Sequence, residues 1–204
     1  MFDFDKILSF WFAGVTDATI IDKNALPFRN WFAKSEKFDR EIQEKFEFDL
    51  LKARRGEYQN WESSVKGRLA LVILFDQFSR NMYRNTPKMF ENDALALALT
   101  LRTIQEGWDV QLQLIERVFI YLPLMHSEDL KVQKMSVEHF DNVVVQAKER
   151  FPKNVSYFEN NFFYAKKYCA IIAKFGRFPH RNAVLGRASS SQELEFLQKP
   201  GSGF

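Results

Sequence analysis

Cysteine, histidine, proline and glycine are all scarce in this chain: one, three, six and eight among 204 residues. A lone cysteine, Cys169, excludes a disulfide framework and a zinc knuckle. Its run Tyr168-Cys169-Ala170-Ile171-Ile172 predicts a buried, inert thiol. Long apolar runs are also missing. Asp76, Arg102, Glu116 and Arg117 interrupt every stretch that would approach the ~18–20 residues of a membrane span. Residues 1–12 mix acidic and basic side chains with aromatics and have neither the basic region nor the small-residue cleavage site of a secretory signal. The expectation is a cytoplasmic protein with no membrane partner. No nucleophile elbow, phosphate-binding glycine loop or dinucleotide glycine fingerprint occurs, so no cofactor is implied.

The formal net charge of +3 is too small to suggest nucleic-acid binding, but the charge is unevenly spread. Residues 160–192 contain no acid, while Lys166, Lys167, Lys174, Arg177, Arg181 and Arg187 all fall in that window. The rest of the chain is therefore net acidic.

What the chain has in quantity is apolar residues at helical spacing, including 22 phenylalanines. Its length suits one domain, expected over 1–199, which buries enough surface to need no disulfide or metal. Residues 200–204 are expected to fray. Residues 5–13 form a short helix stopped at Gly14, and 16–26 a loop. Ser35 caps a helix over 36–55, with Phe38, Ile42, Phe46 and Leu50 recurring every four residues. Ser64 caps the next, over 65–80, which is apolar on every side and therefore central. Thr86-Pro87 opens a segment to Gly107, with a break near Asn92. A second all-round apolar helix covers 112–125, where Pro123 predicts a kink or stop. Ser127, Glu128 and Asp129 start a helix to Arg150, Pro152 separates it from one over 153–175, and Ser190 to Glu193 spells a capping box. No strand alternation is present. The architecture that follows is an all-α array of antiparallel helical hairpins.

Two polar segments break the apolar pattern. Asp76 and Arg80 lie on the same face as Leu69 and Ile73 at 100° per residue, four residues apart, so they can pair. Gln77, Asn81 and Arg84 extend the network. Read structurally, this is a buried salt bridge that fixes packing; read functionally, Asp76 orients Arg80 toward a planar anion. The second segment is Phe175-Gly176-Arg177-Phe178-Pro179-His180-Arg181-Asn182, followed by Gly186 and Arg187. A loop with three arginines and no acid of its own needs a negative partner. Internal candidates are Glu116, Glu128, Asp129 and Asp76; the external one is a phosphate or carboxylate. A third cluster, His126-Ser127-Glu128-Asp129, sits at a helix junction. Its bland reading is capping by Ser127. Its chemical readings are a His126–Glu128 acid–base pair or, with His180, a zinc or manganese site, although the spacing matches no established ligand pattern and no metal is expected. His139 is read as exposed. Trp11-Phe12 and Trp31-Phe32 are read as core anchors, not base-stacking platforms.

The strings Asn30-Trp31-Phe32, Leu74-Phe75-Asp76-Gln77-Phe78-Ser79-Arg80-Asn81, Pro123-Leu124-Met125-His126-Ser127-Glu128-Asp129 and Phe175 to Asn182 resemble the bacterial "domain of unknown function 924" family over nearly the whole chain. The resemblance implies an all-α fold of tetratricopeptide-like, right-handed superhelical type. It implies no settled activity and supplies no catalytic residues.

Two functions follow as expectations. One is a pocket for a small anionic, phosphate- or carboxylate-bearing metabolite, lined by Asp76, Gln77, Arg80, Asn81, Arg84, Arg177, His180, Arg181, Asn182 and Arg187. In that pocket His126, Glu128 and His180 are the candidates for hydrolase or transferase chemistry. The other is a tetratricopeptide-like module that binds an acidic peptide or protein partner. The first requires both arginine segments to converge.

Overall fold

Helical spacing with few breakers builds a helical protein. The computed structural model describes residues 4–22 and 24–202, and among these no strand occurs. The elements are α1 (Asp5–Phe12), α2 (Phe28–Phe32), α3 (Glu36–Arg54), α4 (Val65–Val72), a π-helical turn (Ile73–Phe78), α5 (Ser79–Met82), α6 (Asp93–Gln105), α7 (Leu114–His126), α8 (Leu130–Arg150), α9 (Val155–Phe175) and α10 (Ser191–Leu197). Short 3-10 turns fill several connections, including Pro87–Phe90 before α6 and Pro179–Arg181 after α9. Successive long helices pack on one another, α7 on α8 and α8 on α9, as three- to four-residue connections demand.

The stops and starts follow local chemistry. Ser35 and Ser64 accept from the backbone N–H groups of Phe38 and Gly67, and Asp129 accepts from those of Lys131 and Val132. Ser190 and Glu193 form the expected capping box. α9 ends at Gly176 with φ 68°, a left-handed turn that suits glycine. α2, a short helix around Trp31, was not expected. It forms because Trp31 is drawn into the core, where its indole N–H donates to the Trp11 carbonyl at 2.9 Å.

The core is aromatic. Phe119 of α7 meets the rings of Trp11, Phe12 and Trp31 edge-on at 5.0–5.5 Å, and Phe78 meets Trp11 and Phe46 at 5.6 and 4.9 Å. The edge-to-face pairs among these, all but the tilted Phe78–Phe46 pair, add about 0.5–1.5 kcal/mol each beyond area burial. Every residue from Gly67 to Ser79 is buried, so the rod of α4, the π turn and α5 occupies the centre.

Several expectations are corrected. The helix read over 65–80 is not uniform, because its middle is the π turn, in which Ser79 N–H reaches back to the Leu74 carbonyl five residues away. Of the two outcomes expected at Pro123, a kink or a stop, the stop does not occur. The helix continues to His126, and Thr100 donates to the Ile120 carbonyl at 2.8 Å, beside the Phe119 carbonyl that a proline cannot serve. His139 is half-buried, with its ring 4.7 Å from that of Tyr121. Cys169 is half-buried, not buried, and is not among the side chains packed on the cluster of Ile171, Ile172 and Phe178. Residues 200–202, expected to fray, are tied down: Lys167 donates to the Gly201 carbonyl at 2.6 Å and Ser202 to that of Leu197 at 2.9 Å. Residues 203 and 204 of the expected frayed tail lie outside the described residues. Among the described residues no helix is long and apolar enough to cross a membrane.

Gly67 marks the tightest approach at the head of the central rod, where an added Cβ would overlap the Trp61 backbone carbonyl. Gly67→Ala is therefore expected to lower the free energy of urea unfolding by about 1–3 kcal/mol, although alanine is the better helix former. Unchanged stability would mean that Trp61 is free to move aside.

Candidate functional site

The polar residues that interrupt the apolar pattern gather where four elements meet. The π turn supplies Asp76, α5 supplies Arg80, the first turn of α6 supplies Asp93, and the C-terminus of α7 supplies His126. The 3-10 turn after α9 adds His180 and Arg181. A glycine stop, a proline and a packed Phe178 aim that turn back at the rod, and Phe178 is completely buried.

Asp76 is the centre. Its side chain is 1% exposed. One carboxylate oxygen lies 2.6 Å from His126 Nδ1 and 3.1 Å from an Arg80 guanidinium nitrogen, and the other accepts from the Gln77 amide at 2.5 Å. Burial alone would push this carboxyl up, but Arg80 and His126 outweigh it and hold its pKa at about 2. His126 shifts downward, through burial and the neighbouring Arg80 charge, against the pull of Asp76. The imidazole is thus neutral at pH 7. With Asp76 ionised, the proton shared with it sits on His126 Nδ1, which leaves Nε2 as a lone-pair acceptor. Among the described residues no group hydrogen-bonds Nε2, and the side chain keeps 15% of its surface exposed.

Arg80 and Arg181 meet on Asp93. Arg80 grips it bidentately, at 2.9 and 3.1 Å, and Arg181 reaches the same carboxylate at 3.3 Å. Arg181 also donates to the His126 carbonyl at 2.9 Å. Its guanidinium lies between the rings of Phe90 and Phe178, each 4.6 Å away. Its Nε is buried and, among the described residues, has no hydrogen-bond partner. Burial and the like charge of Arg80 lower the Arg181 pKa to about 10, so it stays cationic but incompletely compensated. His180, beside Phe178 with ring centres 5.5 Å apart, is lowered to about 4 by burial and by Arg181.

The other expected site residues are held by internal partners. Arg84 binds Asp39 through two hydrogen bonds, at 2.7 and 2.8 Å, and Asn81 donates to the same carboxylate at 2.7 Å. Arg177 forms a fork with Glu193 at 2.7 and 2.8 Å. Arg187 forms one with Glu128 at 2.8 and 3.0 Å, and Asn182 accepts from Arg187 Nε at 3.0 Å. Glu128 further accepts from the Phe178 backbone N–H at 2.8 Å. His126 is therefore paired with Asp76, and Glu128 serves the arginine loop. Of the acids expected to face that loop, Glu128 does so directly. Glu116 instead pairs with Lys66 and closes a capping box with Gln113, and Asp129 caps α8. Asp93 and Glu193 were missed. Both read as ordinary acids in the first turns of helices, and the only signal was the absence of acid from 160–192. Among the described residues no three His, Cys, Asp or Glu side chains gather as a metal ion requires.

Two grooves lie away from this cluster. One of about 570 Å³ runs along the outer face of α3, past Arg40, Glu47 and Phe48. Another, of about 450 Å³, lies between α1 and the Lys66–Glu116 pair. The arginine cluster borders solvent through Asp93, whose side chain is 24% exposed.

The shifts set a pH dependence. Asp76 titrates lower in the folded protein than in the unfolded chain, so its contribution of roughly 2 kcal/mol is present above pH ~4 and lost toward pH ~2. His180 is also depressed, so protonation of the unfolded chain erodes stability from pH ~6.5 down to ~4. Urea unfolding across pH 2–7 should show two acid slopes. His180→Gln should reduce the upper one, to which the depressed His126 and His139 also contribute, and Asp76→Asn should reduce the lower, which it shares with Glu193. An unchanged lower slope in Asp76→Asn would contradict the ion-paired Asp76.

No curated protein matches the chain. A solved structure, of a protein of unknown function from Agrobacterium tumefaciens, is similar at 30% identity over 96% of both chains, with a TM-score of 0.77. Residues 7–201 match a family described as bacterial protein of unknown function (DUF924). This helical chain, with its Asp76–His126 and Arg80–Asp93–Arg181 network, belongs to that family.

Proposed function

We propose that the protein binds a small anionic metabolite, bearing a phosphate or carboxylate group, at the junction of Arg80 and Arg181. The observation that carries this reading is the convergence of the two guanidiniums on one carboxylate, with Arg181 Nε left buried and unpartnered. Asp93 occupies the junction as an external carboxylate would. Arginine forks match carboxylate and phosphate geometry, and the flanking Phe90 and Phe178 rings hold the Arg181 plane in place. Asp93 is the most exposed of Asp76, Arg80, Asp93, His126 and Arg181, so an incoming anion competes with it at the solvent edge. His126 and His180 beside the junction support hydrolysis or transfer at the anionic group as the reaction class.

The competing reading is a tetratricopeptide-like module for an acidic peptide. It needs a row of available guanidiniums on an open face. Arg84, Arg177 and Arg187, which would make that row, are each engaged by an internal carboxylate.

Thermal unfolding with inorganic phosphate, against chloride at equal ionic strength, tests the proposal. Phosphate at 100 times its dissociation constant should stabilise by about 2.7 kcal/mol. Arg181→Gln should abolish the shift. Asp93→Asn removes an internal competitor worth about 1 kcal/mol and should tighten phosphate about fivefold. The proposal fails if phosphate and simple carboxylates stabilise neither the wild type nor Asp93→Asn, or if they stabilise Arg181→Gln equally.

A further inference from the structure

Resting on that reading, we infer that His126 is the general base of a hydrolytic site, that Asp76 is its positioning residue, and that the substrate is an ester of a small acid whose free anionic group is held by Arg80 and Arg181. The geometry comes from chain segments far apart in sequence. The buried Asp76 carboxylate meets His126 Nδ1 at 2.6 Å, which fixes the ring plane and directs Nε2 away from Asp76. The same carboxylate meets Arg80 at 3.1 Å, and Arg181 holds the His126 backbone carbonyl at 2.9 Å. One network thus orients the imidazole and both anion-binding cations. The π turn that carries Asp76 is a rare form of helix that occurs frequently at functional sites.

A structural histidine needs a protein partner for each ring nitrogen that is buried from water. Here one nitrogen is held by a fully buried acid, and the other is offered at a partly exposed edge. The charged and titratable groups around the ring are Asp76 from the π turn, Arg80 from α5, Asp93 from α6, and His180 and Arg181 from the turn after α9; Tyr168 of α9 lies near the two arginines. Burial first, and then the charge of Arg80, shift the imidazole downward against the pull of Asp76 and Asp93 and keep it neutral at pH 7, the form a base needs.

In the reaction, His126 Nε2 takes a proton from water as the water oxygen bonds to the ester carbonyl carbon. The tetrahedral intermediate then collapses, the acyl carbon–oxygen bond breaks, and the imidazolium returns the proton to the departing alkoxide. The products are an acid and an alcohol, and no further reactant is required. Asp76 stays ionised throughout and stabilises the imidazolium.

The test uses mono-4-nitrophenyl succinate, an anionic ester, beside neutral 4-nitrophenyl acetate. The wild type should hydrolyse the succinate ester in preference, with inorganic phosphate as a competitor. His126→Gln should lose about 100-fold or more in rate, the contribution of a positioned base. Asp76→Asn should lower kcat and move the acid limb of the pH–rate profile, which a merely structural aspartate would not do. Nitrogen-15 NMR of the wild type at pH 7 should show His126 protonated at Nδ1 and not at Nε2. Protonation at Nε2, hydrolysis unaffected by His126→Gln, or no hydrolysis of either ester would overturn the inference. A phosphate-induced thermal shift without hydrolysis would sink this inference alone, whereas absence of that shift would sink the anion-binding reading on which it rests.

Discussion

A single carboxylate, Asp76, governs the arrangement of this protein's polar centre. An ion with 1% of its side chain exposed is tolerable only if its neighbours replace the lost water. Arg80, His126 and Gln77 do so from two elements, the central rod and the end of α7. Satisfying Asp76 therefore sets the relative position of α5 and α7. Arg80 carries the constraint on to Asp93 and so to the start of α6, where Asn92 also donates to Ser79 of the rod at 2.9 Å. Arg181, bound to the same Asp93 and to the His126 carbonyl, draws in the loop after α9.

Around this centre, further ion pairs neutralise what would otherwise be a strongly basic C-terminal segment. Arg177 with Glu193 and Arg187 with Glu128 fasten the loop to α10 and to the α7–α8 turn. These forks are partly exposed, so each stabilises less than a buried pair would. Their number and shared backbone contacts fix the loop's course. Of Arg177, Arg181 and Arg187, Arg181 is the one left, among the described residues, with a buried donor unused. The contrast among three arginines of one loop separates those that hold the fold from the one available for recognition.

The helices were legible in the sequence because their signals are local. Serine caps, glycine stops and four-residue apolar spacing placed most elements, and the pairing of Asp76 with Arg80 followed from i, i+4 geometry. The π turn was not legible: an all-round apolar segment has no polar face whose rotation would reveal an inserted residue. Nor was the passage of α7 through Pro123, which relies on Thr100 from another helix and which delivers His126 to Asp76. The convergence of the two arginine segments was an expectation, but its meeting point, Asp93, was hidden. An acid in a helix's first turn is ordinary, and only the tertiary fold shows that it faces two arginines.

The central claim is that Arg80 and Arg181 form an anion site whose internal occupant, Asp93, yields to a ligand. A crystal structure of the Asp93→Asn protein grown in phosphate tests it most directly. The account predicts a phosphate between the two guanidiniums, within hydrogen-bond distance of Arg181 Nε, with the Asp76–His126 contact unchanged. The absence of phosphate there, with Arg80 and Arg181 turned to other internal acceptors, would contradict it.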